Sequence, residues 1–436
     1  MRVFANHALT YAIKLANQHQ LPLVVYFGIT PQYPSANLRH YTFMLEGLEE
    51  VAKELAQRGI TFVIKLTSPE VGITSLLQQA HTLVMDFAYL RTPRTWRRQV
   101  YQQAKELNKP VVIVESDLIV PVRVTSDKEE YAAATIRKKV WKHVPDFLDD
   151  PSLNEVQQKS SSLVTSDFDM SDWKRIVPEF IIDHSVKPSP LYKGGYSKAL
   201  GYLERYLSEY VYQESELPSD PSLDASSKLS MYLHFGQISP LDIYQRTLEY
   251  SSTRTPQIQA NIDSLFEQLV IRRELAFNFV YYNDGYDQFD SMTYAWAYQT
   301  MKEHANDPRD VLYTLEDYET ANTHDPYFNA AMLEMIHTGF MHNYMRMYWA
   351  KKIIEWSPSY EEAYNLTVYL DDKYFLDGRD PNGYTGVAWC YGKHDRAWTE
   401  RAVFGKLRYM NAGGLERKFK INDYVKRWQS FAKSLQ

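Results

Sequence analysis

Four short apolar runs in the first 116 residues, set apart by segments of helical periodicity, constrain this chain more than any other feature of its sequence. LPLVVYFGI (21–29), ITFVIKL (60–66), HTLVMDFAYL (81–90) and PVVIVES (110–116) read as buried strands. Residues 36–58 keep a helical period and stop at Gly59, a C-terminal signal. Further helices are predicted over 69–80 and over 93–108, the latter opening at Pro93, a residue favoured in the first helical turn. Strand and helix alternating through short links predict an α/β domain over residues 1–125, built on a doubly wound parallel sheet.

The character then changes. Residues 145–190 are polar, with scattered Pro and Ser, so 126–190 read as an interdomain linker running over the surface. From 191 onward strand signals vanish, and segments such as 258–282, 328–356 and 360–370 have helical spacing. A mainly helical second domain over 191–436 follows, and 436 residues are too many for one ordinary core.

A single cysteine, Cys390, excludes an internal disulfide or a Cys-based metal site and suits a reducing cytoplasm. The opening MRVFANHALTYAIKLANQHQ carries polar residues throughout and is not a signal peptide. No stretch is long and apolar enough to span a bilayer. The net charge of −6 does not advertise a nucleic-acid binder, yet Tyr391–Ser430 holds ten Lys/Arg against four Asp/Glu. A basic end on an acidic chain suits a phosphate backbone, and a solvated helical surface equally. Aromatic residues reach 14%, which fits large buried rings, stacking platforms or electron-hopping sites.

There is no P-loop, HExxH, nucleophile elbow or GxGxxG after a strand. The twelve His lack metal-ligand spacing, so His342 and His394 read as structural residues rather than ligands. An α/β domain without a phosphate loop, joined to a helical domain rich in Trp, points to chemistry borrowed from a cofactor. Three stretches stand out. In Ser226-Ser227-Lys228-Leu229-Ser230, small hydroxyls precede a helical pattern, an arrangement that fits a phosphate site and fits a helix cap. The second is TGFMHNYMRMYW (338–349). The third is DGRDPNGY (377–384), continuing to Trp389 and His394-Asp395-Arg396-Ala397-Trp398.

Together with RRELA (272–276), THDP (323–326), YWAKKIIEW (348–356) and VFGKLRYM (403–410), these stretches resemble the photolyase and cryptochrome family, specifically class II photolyases. The resemblance spans essentially the whole chain. It implies light-driven repair of cyclobutane pyrimidine dimers in UV-damaged DNA by a monomer that carries FAD. Tyr212 and Ser226–Ser230 are then expected to hold the FAD phosphates and ribityl chain, with Asp380 also lining the cofactor. Arg346 and Asp377 are expected as an ion pair beside the flavin ring. Trp389, Met347 and Tyr344 match the lesion pocket, and Asn343, Gln268 and Arg272 lie near positions that read the dimer. Asp395, Arg396, Trp398 and Arg408 match the segment that fills the gap left in the duplex. The resemblance also implies a second, antenna chromophore of deazaflavin or folate type in the α/β domain. A cryptochrome-like FAD photoreceptor without repair is the alternative, and a single-strand or RNA-binding flavoprotein without photochemistry a weaker one.

Three positions depart from the family's pattern. Its flavin is recharged through three tryptophans, of which Trp349 and Trp356 match the first and last. The middle one falls on Phe328, which is far harder to oxidise, with Tyr327 adjacent as a substitute. Slow photoreduction is expected, with repair by pre-reduced flavin intact. Asp371 stands where the family usually has Asn beside flavin N5. A protonated Asp371 would donate to N5 and favour a neutral one-electron-reduced flavin. An ionised one would repel the reduced anion, which raises its own pKa. Finally, the family has one more strand before the ArgVal motif on which Met1 sits. The first strand of a doubly wound sheet is usually central, so its loss would leave a hole between its neighbours, unless the sheet is remodelled.

Overall fold

The computed structural model describes all residues except 32, 150–153, 161–163, 165, 168, 215–219 and 436. The four apolar runs are strands: β1 (Val24–Gly28), β2 (Thr61–Lys65), β3 (Leu83–Asp86) and β4 (Val111–Val114). Helices α1 (His7–His19), α2 (Leu38–Gln57) and α3 (Arg91–Glu106) pack around them. The helix expected over 69–80 breaks at Ile73 into Pro69–Gly72 and Thr74–Gln79. Helix α3 opens at Arg91, two residues before Pro93; first-turn N–H groups lack an intrahelical acceptor anyway, so proline is tolerated there.

Pairing is parallel, as the alternation requires, but the sheet is divided. Strand β1 pairs with β2, Val24 opposite Thr61 through Gly28 opposite Lys65. Strand β3 pairs with β4, Leu83 opposite Val111 through Asp86 opposite Val114. The pairs form two separate two-stranded sheets. Between them lies a cavity of about 910 Å³, lined by β1 and β3 along their full length and by Met1, Arg2 and Val3, but by no residue of β2 or β4. The facing edges of β1 and β3 therefore flank the cavity. The 126–190 connection follows β2: the Thr61 and Ile64 N–H groups donate to the hydroxyls of Ser160 (2.7 Å) and Ser166 (3.0 Å). Trp173 buries its ring beneath α2 and donates its indole N–H to Glu49 at 2.9 Å.

Helix α2 ties the two halves together. Asn37 caps it, accepting from the Arg39 N–H at 3.2 Å, while His40 Nδ1 accepts from the Asn37 N–H at 3.1 Å. That leaves His40 Nε2–H to donate to the Phe375 carbonyl at 3.0 Å. Arg39 is 2% exposed, and its guanidinium donates to the carbonyls of Met335 (3.2 Å), Ile336 (2.5 Å), Tyr374 (2.8 Å) and Lys187 (2.9 Å). Three of these carbonyls close helices of the other half, where the helix dipole is negative, so a cation can be buried there without a carboxylate.

The helical half contains α4 (Arg273–Tyr282), α5 (Ala295–Glu303), α6 (Pro326–Thr338), α7 (Asn343–Trp356), α8 (Tyr360–Tyr374), α9 (Pro381–Cys390) and α10 (Ile421–Ser434). The expected 328–356 segment is two helices, α6 and α7, turned at Gly339, whose φ of +80° suits glycine. Among the described residues no helix is long and apolar enough to cross a membrane. Among them, too, no group of His, Cys, Asp and Glu could hold a metal.

Candidate functional site

The turn at Gly339 leads from α6 into α7. His342 caps that helix, its Nδ1 accepting from the Tyr344 N–H at 3.2 Å. One turn on, Arg346 donates from Nε to the Met341 carbonyl (3.0 Å) and from Nη2 to Asp377 Oδ1 (2.9 Å). Its guanidinium lies 4.0 Å from the ring centre of Phe375. The expected Arg346–Asp377 pair is therefore formed, and Phe375 fixes its plane. Asp371, near the end of α8, is buried close by; a Cβ on Gly383 would sit 3.0 Å from its Oδ2. Burial, then the neighbouring Asp372 carboxylate, push the Asp371 carboxyl well above the usual range, with Arg346 offsetting only part. Asp380 differs. It caps α9 through the Asn382 N–H (2.8 Å) and takes His234 Nδ1 at 3.0 Å. Burial works against its charge, but these partners hold it down to about 2.

The Ser226–Ser230 stretch reaches the same region through Phe340. Lys228 Nζ lies 3.9 Å from the Phe340 ring centre and Arg346 5.6 Å from it. Lys228 adopts a left-handed conformation (φ +59°) and pairs with Asp224 at 3.1 Å. The Ser226 hydroxyl is buried and, among the described residues, has no hydrogen-bond partner. Ser227 accepts from the Leu229 N–H at 3.4 Å, and Ser230 opens the short helix Ser230–His234. The Leu229 side chain belongs to the apolar core. Tyr212 donates its hydroxyl to the Thr247 carbonyl and stacks under Arg254 at 5.3 Å.

Two aromatic pairs, made of members of the expected series and Phe375, lie beyond Arg346. Phe375 meets Trp349 at 6.0 Å between ring centres, and Phe328 meets Trp356 at 5.2 Å. All four are buried. Tyr327 directs its hydroxyl to Glu416 at 2.7 Å, whereas Tyr318 lies on Phe328 at 5.3 Å.

On the basic C-terminal face, Arg408 lies over both Trp389 (5.1 Å) and Trp398 (4.4 Å), and Arg396 lies over Trp398 (4.9 Å). Asp395 accepts from the Trp398 indole at 3.2 Å and pairs with Arg408 at 3.6 Å. Asn343 is exposed at the start of α7, Tyr344 packs on Phe419 at 4.8 Å, and Met347 is half-buried. Gln268 and Arg272 are exposed on a π-helical turn, where Arg272 pairs with Glu267 at 3.1 Å.

The DNA photolyase family model matches residues 1–158. A deoxyribodipyrimidine photo-lyase of Methanothermobacter thermautotrophicus is 43% identical over 422 residues, covering 97% of this chain and 91% of that protein. The chain belongs to the DNA photolyase family. A deoxyribodipyrimidine photo-lyase of Potorous tridactylus is 39% identical, covering 98% of this chain and 79% of the relative. One of Arabidopsis thaliana is 37% identical, covering 100% and 87%. The photolyase fold is shared with a class III photolyase of Agrobacterium tumefaciens at TM-score 0.73 and 17% identity, over 98% of this chain and 84% of that one. A photolyase of Sulfolobus tokodaii, solved with two FAD molecules, gives 0.70 at 16% identity, over 98% and 87%. At these identities the likeness speaks for the fold.

In this photolyase chain one buried acid escaped the sequence reading. Glu334 of α6 accepts from the Tyr424 hydroxyl and, at 3.3 Å, from the His342 N–H. Burial pushes it up to about 7, against the pull of Lys228. Its signal was a lone carboxylate inside PYFNAAMLEMIHT, an otherwise mostly apolar helix.

Proposed function

We propose that this chain is a class II-type photolyase that binds FAD in its helical half and splits cyclobutane pyrimidine dimers in UV-damaged DNA. The observation that carries the reading is the joining of the Arg346–Asp377 pair to Lys228 through Phe340, beside a buried Ser226 hydroxyl that has no partner among the described residues. A buried hydroxyl without a partner costs free energy, and a phosphate oxygen would satisfy it. The left-handed Lys228 and the close approach of Gly383 to Asp371 fit the same group. When bound and reduced, FAD supplies the electron that opens the dimer on illumination.

The residues then divide the work. Ser226, Ser227, Ser230 and Lys228 hold the phosphates, while Leu229 and Tyr212 support that segment from the core. Arg346, held by Asp377 and Phe375, presents a fixed positive charge to the ring. Burial and the neighbouring Asp372 carboxylate raise the Asp371 carboxyl, which favours its protonated form, an O–H donor, over the anion. Asp380, ionised, fixes the start of α9 and with it Trp389. A dimer must leave the duplex to approach a buried group, as is general for photolyases. Trp389, Met347 and Tyr344 wall its pocket, and Asn343, Gln268 and Arg272 stand at its rim. Trp398 and Arg396, braced by Arg408 and Asp395, occupy the gap in the duplex. None of these roles needs a nucleophile or a general acid.

The test is direct. The reduced protein is illuminated with dimer-containing DNA, and recovery of pyrimidine absorbance is followed. Recovery supports repair; retained FAD with no recovery supports the photoreceptor alternative.

A further inference from the structure

The basic face is built on a hairpin whose anchor includes a histidine that the photolyase reading does not use. Trp398 and Lys406 close the hairpin through an N–H to carbonyl bond of 2.9 Å, and Arg401 and Gly405 bridge it further up. The hairpin rests on the C-terminal end of α5. There the Lys406 N–H donates to Thr300 at 3.0 Å and the Val403 N–H to Asp307 Oδ2 at 2.8 Å. His304 stands between the two elements, with Nδ1 2.6 Å from Asp307 Oδ2 and Nε2 3.0 Å from Glu400 Oε1. Gly405 leaves no slack, since a Cβ there would sit 2.8 Å from His304 Cδ2.

Both ring nitrogens of His304 thus face ionisable carboxylates, which accept and do not donate when charged. A neutral imidazole has one N–H and would turn a lone pair on one of them; only the imidazolium satisfies both. The end of α5 also favours a cation. We propose that His304 is a positioning residue for the DNA-facing surface. As a cation bridging Asp307 and Glu400, it holds the Trp398–Lys406 hairpin so that Trp398, Arg396 and Arg408 are presented together. The proposal rests on the reading of this face as the DNA surface.

The other charged groups near His304 do not replace it. Arg309 faces Asp307 from the same loop, and Arg401 of the hairpin lies over Tyr409 at 5.2 Å. Lys302 and Glu303 are exposed on α5. Asp307, then Glu400, hold the His304 imidazole above its ordinary range. A raised histidine stabilises the closed hairpin fully below the ordinary imidazole value, and that contribution is lost as pH rises through the raised one.

The experiment uses the full-length protein and its variants H304Q and E400Q. Imidazole resonances are titrated by NMR with the amides of Val403 and Lys406 as reporters, and affinity for dimer-containing DNA is measured from pH 6 to 9. The expected result is a His304 midpoint above that of a free imidazole, with both amides moving at the same midpoint. Affinity in the wild type should fall with pH by about two- to five-fold more than in either variant, the range for a partly exposed ion pair. A His304 midpoint at or below the ordinary value overturns the proposal. So does an equal pH slope in all three proteins. Amides that follow His304 in a protein without DNA affinity would leave the clamp standing and sink the DNA reading instead.

Discussion

The ring of Phe328 meets that of Trp356 edge-on, at 5.2 Å between centres and 66° between planes. Phe328 is fully buried and also touches Tyr318, so a ring that resists oxidation sits beside one of the two buried tryptophans of the series. Phe328→Trp should speed the appearance of an indole radical after a flash, read by transient absorption. The larger ring should lower stability by about 1–3 kcal/mol through overpacking. Phe328→Ala should cost about 3–5 kcal/mol by leaving a cavity. Fast Trp-radical formation in the wild type would refute the idea that Phe328 interrupts the series.

Arg346 and Asp377 should fail separately when split. Arg346→Leu leaves the Asp377 carboxylate buried without its guanidinium partner, and Asp377→Asn leaves a half-buried guanidinium without its ion-pair partner. Both variants should purify with less flavin than the wild type, measured as the ratio of visible to ultraviolet absorbance. Undiminished flavin in both would remove this pair from the cofactor site.

Glu334 makes stability depend on pH in a calculable direction. Its carboxyl is raised to about 7, so between the ordinary glutamate value and 7 the folded protein binds a proton that the unfolded chain has lost. Stability therefore falls as pH rises through that window, by on the order of 3 kcal/mol. Glu334→Gln keeps the shape and removes the titration, so its urea midpoint should be flatter between pH 4.5 and 7, a window set by ordinary and raised values. Parallel curves for the two proteins would show that Glu334 titrates normally.

Arg39 joins the halves through four carbonyls. Arg39→Met retains most of the side-chain volume but removes every donor. The expected loss is about 3–5 kcal/mol, as for breaking other buried charged contacts. Chemical denaturation monitored by tryptophan fluorescence measures it.

The strands were legible because each is a short apolar run between helical stretches, and the parallel pairing follows from their spacing in the chain. The break at Ile73 was signalled by Gly72, which ends the first short helix, but the helical spacing of apolar residues runs on across it and hides the change of axis. Arg346 and Asp377 could be paired in advance only through a resemblance; 31 residues separate them, and no local pattern links them. The same distance problem hid Glu334 from Tyr424, 90 residues away. Burial of Arg39 was equally invisible, since its acceptors are backbone carbonyls, which any sequence supplies. His304 was passed over because Glu400 reaches it from a hairpin that composition presents only as a basic stretch.

The divided sheet bears on how the molecule comes apart. Strands β1 and β3 each hold one ladder instead of two, so their backbone groups facing the cavity gain nothing from a neighbouring strand. The helical half, in contrast, is knit through continuous apolar clusters. Cooperativity should therefore be lopsided, with amides of Val24–Gly28 and Leu83–Asp86 exchanging through local openings well before those of α6 and α7. On heating, the amino-terminal half should melt first, giving a calorimetric trace broader than a single all-or-none transition allows.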